Sequence, residues 1–270
     1  IAVRHPGQRA PEVRLLPSRI SLDEITAGTP QPGTAAQRMV VPFGVRESTL
    51  GPAAIDFAVS THLVVLGSSG SGKSTVLAAL LASIRRQFTP DQARVLLVDY
   101  RRRHMDAIAG DQLIGYLTSE REVMEGLPPF IEKMRSRRAP RGVTSQQLKD
   151  RSWWSGPEIF VVVDDYHMVA QRGQLNPLEP LKDIIVDGRD TGLHVIAARN
   201  IAQADSALYD NVLGQIKNLN SSGFIMDGSK MDGILIGDVK ATAQPVGRGI
   251  FVEPLHSRRD LVQAAASVQI

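Results

Sequence analysis

The sequence predicts an α/β domain: a mostly parallel central sheet with helices on both faces, preceded by an irregular segment. Three observations carry this. Short, unbroken apolar runs recur at residues 62–66, 94–98, 159–163 and 192–197, as in strands buried on both faces. Stretches with apolar residues three and four apart lie between them. Strand and helix therefore alternate, which is how consecutive parallel strands are connected.

Residues 1–38 differ from the rest. They are rich in Pro, Gly, Arg and Thr and read as a linker between domains. One amphipathic piece, residues 20–25, stands out because Ser21 and Glu24 are spaced as a capping box. The domain proper is expected over 39–270. It opens with a strand at 39–45 and a second at 62–66. A helix follows over 73–88 with Val76, Leu77, Leu80, Leu81 and Ile84 on one side. After the strand at 94–98, residues 120–136 have helical spacing, but Pro128 and Pro129 should break or restart that helix. Trp153 and Trp154 lead into a Ser-Gly-Pro turn. The strongest strand, 159–163, comes next. A helix over 178–187, a strand over 192–197 and a helix over 206–218 follow. Late strands are expected at 223–226, 233–236 and 249–252. No internal repeat is visible.

Composition limits the function. Of 270 residues 43% are hydrophobic and 22% charged, so a sizeable core can form. There is no cysteine, which excludes disulfides and thiolate metal sites and fits a reducing compartment. No apolar run approaches the roughly 20 residues a membrane-spanning helix needs. The chain begins with Ile1 and carries no leader-like pattern, as a fragment of a longer protein would. The net charge of +3 comes from 31 bases among 28 acids, so basicity permits nucleic-acid contact without arguing for it. The runs Arg101-Arg102-Arg103 and Arg135 to Arg138 read as a solvated helix end and loop.

The clearest motif is Gly67-Ser68-Ser69-Gly70-Ser71-Gly72-Lys73-Ser74, followed by Thr75. It satisfies G-x-x-x-x-G-K-[ST] at every fixed position, after one expected strand and before an expected helix. The glycines let the backbone curl so that successive N–H groups face phosphate oxygens. The helix adds the positive end of its dipole. Lys73 reaches the β- and γ-phosphates, and Ser74 places its hydroxyl on Mg²⁺. ATP with Mg²⁺ is the expected ligand.

The strand at 159–163 runs into Asp164 and Asp165, a Walker B pattern. Asp164 is the expected second metal residue beside Ser74. Asp165 is the candidate catalytic residue, orienting and deprotonating the attacking water. Hydrolytic members of this P-loop class usually carry Glu there. Asp is one methylene shorter, and a shift of about 1 Å in a positioning group can cost roughly 100-fold in rate. Good binding and slow turnover are expected. Ala198-Arg199-Asn200 occupies the place of a γ-phosphate sensor, or of a capped turn. Arg189 reads as a surface arginine rather than an arginine finger. His194 reads as a core residue rather than a catalyst. Asp99 suits a turn as well as a catalytic role.

With these motifs in hand the chain resembles the C-terminal, third ATPase domain of the EccC proteins of type VII secretion systems, within the FtsK/SpoIIIE group of P-loop motors. The matching stretches include Val41-Pro42-Phe43-Gly44, Val98-Asp99-Tyr100-Arg101, Val163-Asp164-Asp165-Tyr166, Asn176-Pro177-Leu178, Ala207-Leu208-Tyr209 and Pro245-Val246-Gly247-Arg248-Gly249. The resemblance implies a RecA/FtsK-like P-loop fold and tandem ATPase domains in the whole protein. It implies a place at the cytoplasmic face of the inner membrane with a membrane-embedded secretion apparatus. It also implies docking of C-terminal signals of Esx/WxG-type substrates on the last ATPase domain. An apolar groove is needed for such a tail. The stripe Ala207, Leu208, Val212, Leu213 and Ile216 is a candidate, or else it packs on the sheet. Two other readings are an FtsK-like DNA translocase, with DNA binding unlikely, and a binding module whose nucleotide is structural.

Overall fold

The computed structural model describes residues 15–26, 39–171 and 173–266. The Pro/Gly-rich stretches near His5 and Thr29 lie outside these residues. The strands are β1 (Val40–Arg46), β2 (Pro52–Asp56), β3 (Leu63–Gly67), β4 (Ala93–Val98), β5 (Leu113–Leu117), β6 (Glu158–Val163), β7 (Leu193–Asn200), β8 (Ser222–Ile225), β9 (Arg248–Glu253) and β10 (Arg258–Ala264). They form one sheet in the order β2-β1-β10-β9-β8-β3-β7-β6-β4-β5. The six strands from β8 to β5 are parallel. An antiparallel extension of β9, β10, β1 and β2 is added beside β8.

Central strands are buried on both sides, so alternate residues serve two different cores. Val64, Leu66, Val161, Val163, Val195 and Ala197 join one core with Val123, Leu127, Phe130 and Ile131 of helix α3 (Glu120–Arg135). Leu63, Val65, Phe160, Val162, Ile196 and Ala198 join the other with Val76, Leu77, Leu80 and Ile84 of helix α2 (Lys73–Gln87). Edge-to-face contacts of Phe43 in β1 with Phe224 of β8 (5.3 Å) and Phe251 of β9 (5.2 Å) tie the extension to the parallel strands. The capping box forms as expected: Glu24 accepts from the Ser21 amide at 2.8 Å, and Ser21 Oγ accepts from the Glu24 amide at 3.3 Å, opening the short helix α1 (Leu22–Thr26). Leu16, Leu22 and Ile25 of this segment pack against Val45, Ala79 and Ala265 of the domain.

Several expectations are corrected. Helix α3 runs unbroken through Pro128 and Pro129. Both prolines face solvent, and so do Met124 and Glu125 one turn back, so water takes the carbonyls that lose a donor while the buried stripe holds the helix down. Residues 233–236 are not a strand: Gly233 (φ 87°) and Gly237 (φ 60°) turn the chain sharply, and Leu235 and Ile236 are buried beside β8. The helix expected over 178–187 is a 3₁₀ turn, Glu179–Leu181, followed by Lys182–Ile185. The helix expected over 206–218 is two short pieces, Ala204–Ala207 and Leu213–Asn218. Leu208, Val212, Leu213 and Ile216 are at most 1% exposed. That stripe packs on the sheet and offers no groove. Among the described residues no helix is long and apolar enough to cross a membrane.

His194 is buried at the amino end of β7, with its ring nitrogens 3.0 Å from Thr61 O and 3.1 Å from Glu158 Oε2. It lies at the sheet edge opposite the Gly67 loop. His62 beside it is fully buried. Its Nε2–H donates to Ile185 O (3.1 Å) and its Nδ1 accepts from the Val195 amide (3.0 Å), so both nitrogens are satisfied only in the neutral ring. Burial first, and then the charge of His194, push its pKa down to about 3. The unfolded chain takes up a proton here below about pH 6.5 and the folded chain does not. Stability is therefore full above that pH and falls as the pH drops from about 6.5 towards 3, by up to roughly 1.4 kcal/mol per pH unit. Denaturant midpoints measured across this window should show a steeper acid loss in the wild type than in His62→Gln.

Candidate nucleotide-binding site

Four parallel strands end together. Gly67 closes β3, Asp99 follows β4, Asp164 follows β6, and Asn200 closes β7. From Gly67 the chain turns through two glycines in the left-handed region, Gly70 (φ 78°) and Gly72 (φ 101°), into α2. Gly72 has no side chain to cap this helix, so its first-turn amides stay open towards an anion.

The turn is held from behind. The Ser68 amide donates to Asp227 O at 2.8 Å, and the Ser68 hydroxyl donates to the Asp227 carboxylate. That hydroxyl, and next the Gln244 amide, keep the Asp227 carboxyl below its usual range. The Gly247 amide donates to Ser71 O at 2.8 Å. A Cβ on Gly72 would lie 3.1 Å from Gly247 N, so the lack of a side chain at Gly72 permits this close approach. The Pro-x-Gly-Arg-Gly segment thus buttresses the loop.

Lys73 folds over the loop, donating from Nζ to Ser68 O at 2.8 Å, and is 7% exposed. Burial lowers its pKa, against the attraction of Asp165 and Asp164. Ser69, Gly70 and Thr75 are exposed. Ser74 Oγ lies 2.8 Å from Asp164 Oδ2 across 90 residues of sequence. Asp164 also receives His104 Nε2 (3.0 Å) on Oδ2 and the Asp165 amide (2.8 Å) on Oδ1. Burial raises the Asp164 pKa, but His104, Ser74 and that amide together leave it lowered, so it stays ionised. A hydroxyl and one carboxylate are the hard-oxygen set a nucleotide-bound Mg²⁺ takes from protein, with phosphates and water completing its shell. Among the described residues no cluster of three acids or histidines could cage a metal. Ser74 and Asp164 fit that ion, which would neutralise phosphate charge.

Asp165 sits at φ 47°, ψ 49°, in the left-handed region where Asp is among the tolerated residues. Its Oδ2 lies 3.1 Å from Arg101 Nε and 3.8 Å from Arg103 Nη1, yet accepts no hydrogen bond of good geometry. This buried oxygen is therefore ion-paired but keeps hydrogen-bonding capacity that a water could use. Arg103 Nη1 also donates to Ser74 Oγ at 2.8 Å. Asp99 shapes the loop that carries these bases: Oδ1 accepts from the Arg101 amide (3.2 Å), and Oδ2 from the His104 amide (2.8 Å) and Tyr116 Oη (3.0 Å).

The sensor candidates are otherwise engaged. Arg199 Nη1 donates to Asn200 O (2.8 Å) and Ala202 O (3.1 Å), and Asn200 Oδ1 accepts from the Ala202 amide (2.9 Å). Both tie their own turn. His167, half-buried, accepts the Asn200 amide on Nδ1 (3.4 Å); burial lowers its pKa, against Asp165. Arg189 is exposed in the turn Gly188–Thr191, beside the amino end of β7 and away from the loop. Arg101 and Arg103 are exposed, as the solvated reading expects, but both also pair with Asp165. Their signal was the Asp99-Tyr100-Arg101 stretch. For His104, His167 and Asp227 no signal was available.

The FtsK/SpoIIIE family profile matches residues 29–139. The chain is 39% identical over 259 residues to the ESX secretion system protein EccC of Thermomonospora curvata, spanning 96% of this chain and 19% of that protein. The solved cytoplasmic domain of the Thermomonospora curvata type VII secretion ATPase EccC superposes with a TM-score of 0.86 at 39% identity, over 97% of this chain and 29% of that one. The chain belongs to the FtsK/SpoIIIE family, in its EccC branch. A second structure, Thermomonospora curvata EccC (ATPases 2 and 3) in complex with a signal sequence peptide, matches this FtsK/SpoIIIE domain with a TM-score of 0.86 at 38% identity, over 97% and 45% of the two chains. The ESX-4 secretion system protein EccC4 of Mycobacterium tuberculosis is 35% identical over 258 residues, 96% of this chain and 20% of the relative. The chain thus spans about a fifth of these two curated relatives.

Proposed function

We propose that this FtsK/SpoIIIE domain is an ATP-binding, slowly hydrolysing terminal module of a type VII secretion motor, and that it docks C-terminal signals of Esx/WxG-type substrates. Residues 39–270 form the ATPase module and residues 1–38 lead in from a preceding ATPase domain. It works on the cytoplasmic side of the membrane, against the membrane-embedded apparatus. The observation that carries the nucleotide half is the 2.8 Å approach of Ser74 Oγ to Asp164 Oδ2 at the mouth of the glycine loop. Amides from Gly70 to Thr75 and the Lys73 ammonium hold the phosphates. Ser74 and Asp164 hold Mg²⁺, and Asp165 positions the attacking water. The paired state of Asp165 and its short reach support slow turnover.

For the signal, the buried stripe near Leu213 is unsuited. An open apolar groove of about 420 Å³ lies between α3 and residues 175–183, lined among others by Met124, Leu127, Pro128, Leu175 and Pro177. Leu175 is 67% and Met124 50% exposed, a cost that an apolar tail would relieve. Calorimetric titration with AMPPNP–Mg²⁺, with pull-down of candidate substrate tails, tests both halves. Leu175→Asp should weaken tail binding by about tenfold, roughly 1.4 kcal/mol, while leaving nucleotide affinity unchanged. Tail binding insensitive to Leu175→Asp refutes the groove, and absence of any tail binding refutes the docking role. Strong stimulation of ATPase by duplex DNA would instead favour a translocase.

A further inference from the structure

The loop after β4 brings a cation to the place the family's metal would take. Arg103 Nη1 donates to Ser74 Oγ at 2.8 Å and lies 3.8 Å from Asp165 Oδ2. Arg101 Nε lies 3.1 Å from the same Asp165 oxygen. The Ser74 hydroxyl has one hydrogen, given to Asp164 Oδ2 at 2.8 Å, and two lone pairs. One lone pair is taken by the guanidinium. A dication on the other, at the ~2.1 Å bond length of Mg²⁺, would stand roughly 4 Å from a second positive charge.

We propose that Arg103 is a built-in competitor of magnesium at the Ser74 hydroxyl, so that nucleotide binding by this domain demands more free Mg²⁺ than the loop alone would. This rests on the nucleotide reading above. The geometry supports displacement rather than permanent occupancy. The Arg103 side chain is 43% exposed, so the guanidinium can swing away without unpacking the core. Arg101 keeps Asp165 paired when it does. A terminal phosphate bound on the loop would offer Arg103 a hydrogen-bond acceptor well matched to a guanidinium. The same residue opposes the metal before it arrives and neutralises phosphate afterwards. His104, by contrast, reaches Asp164 at 3.0 Å from a buried position and supports the carboxylate without contacting Ser74.

AMPPNP affinity measured by calorimetry, from EDTA through a series of free Mg²⁺ concentrations, tests this on the chain as it stands. The readout is the Mg²⁺ concentration that half-maximally tightens binding. Arg103→Ala and Arg103→Gln should each lower it by about tenfold, the equivalent of losing one charge-assisted contact. Arg103→Lys, which keeps the charge, should stay near wild type, and so should Arg102→Ala, whose side chain donates to Thr118 (3.4 Å) instead. A purely structural role would shift metal-free and metal-bound affinity together and leave the midpoint in place. A midpoint within twofold of wild type in both neutral variants overturns the proposal while leaving the nucleotide reading intact. If the wild type binds no AMPPNP at any Mg²⁺ concentration, the nucleotide reading falls and takes this inference with it.

Discussion

Lys73→Ala should weaken AMPPNP–Mg²⁺ binding by roughly 30- to 150-fold, the 2–3 kcal/mol of a charge-assisted hydrogen bond to phosphate. Lys73 opens α2 immediately after Gly72 and lies over the loop with its Nζ on Ser68 O. It is thus already ordered, and little side-chain entropy remains to be lost when phosphate replaces that carbonyl. The substitution leaves the helix anchored by Val76, Leu77, Leu80 and Leu81, so the thermal midpoint should move by only a few degrees. Calorimetry with a parallel melting curve separates loss of contact from loss of fold. An affinity within threefold of wild type would mean that the ammonium does not meet the phosphates.

Asp165→Glu should raise the turnover number by about tenfold, and Asp165→Asn should lower it by at least as much. Asp165 follows the bonded Asp164 and starts the turn Tyr166–Val169, which fixes its Cα close to the end of β6. Its carboxylate reaches the Arg101 guanidinium and stops there. On the proposed role, one further methylene would carry the carboxylate past that partner towards the attacking water. Recovery of a positioning error near 1 Å corresponds to one to two powers of ten in rate. Single-turnover phosphate release, measured with the domain in excess over ATP, reads the chemical step alone. If Asp165→Glu and Asp165→Asn both leave the rate where it was, Asp165 does not act on the attacking water.

The phosphate loop and the Walker B acids were legible because each is one contiguous pattern at the end of an apolar run. The central parallel strands were legible for the same reason: burial on both faces makes β3, β4 and β6 continuous in apolar residues. The antiparallel extension was harder to read. β2 begins at Pro52, β10 opens with Arg258 and Arg259 exposed, and β5, at the far edge, carries Gly115 and no buried residue. These strands lie at edges or expose part of their length, so the periodic signal is weak. The site was only half visible for a related reason. Ser74 and Asp164 could be paired through a known motif. The approach of Arg103 to Ser74 and of His104 to Asp164 depends on how the loop after β4 folds back around Asp99. A run of three arginines looks the same in sequence whether it meets water or a buried carboxylate. Late in the chain, Gly247 was noticed as part of a family stretch, but its contact with Ser71 depends on β9 pairing with β8, which lies beside β3.

The most direct measurement is a crystal structure of the domain with AMPPNP and Mg²⁺. The account predicts the β-phosphate within hydrogen-bond reach of the Gly70 to Ser74 amides, Lys73 Nζ on the phosphates, and a metal on Ser74 Oγ facing Asp164. A nucleotide seated elsewhere, or a metal bound without Ser74, would contradict it.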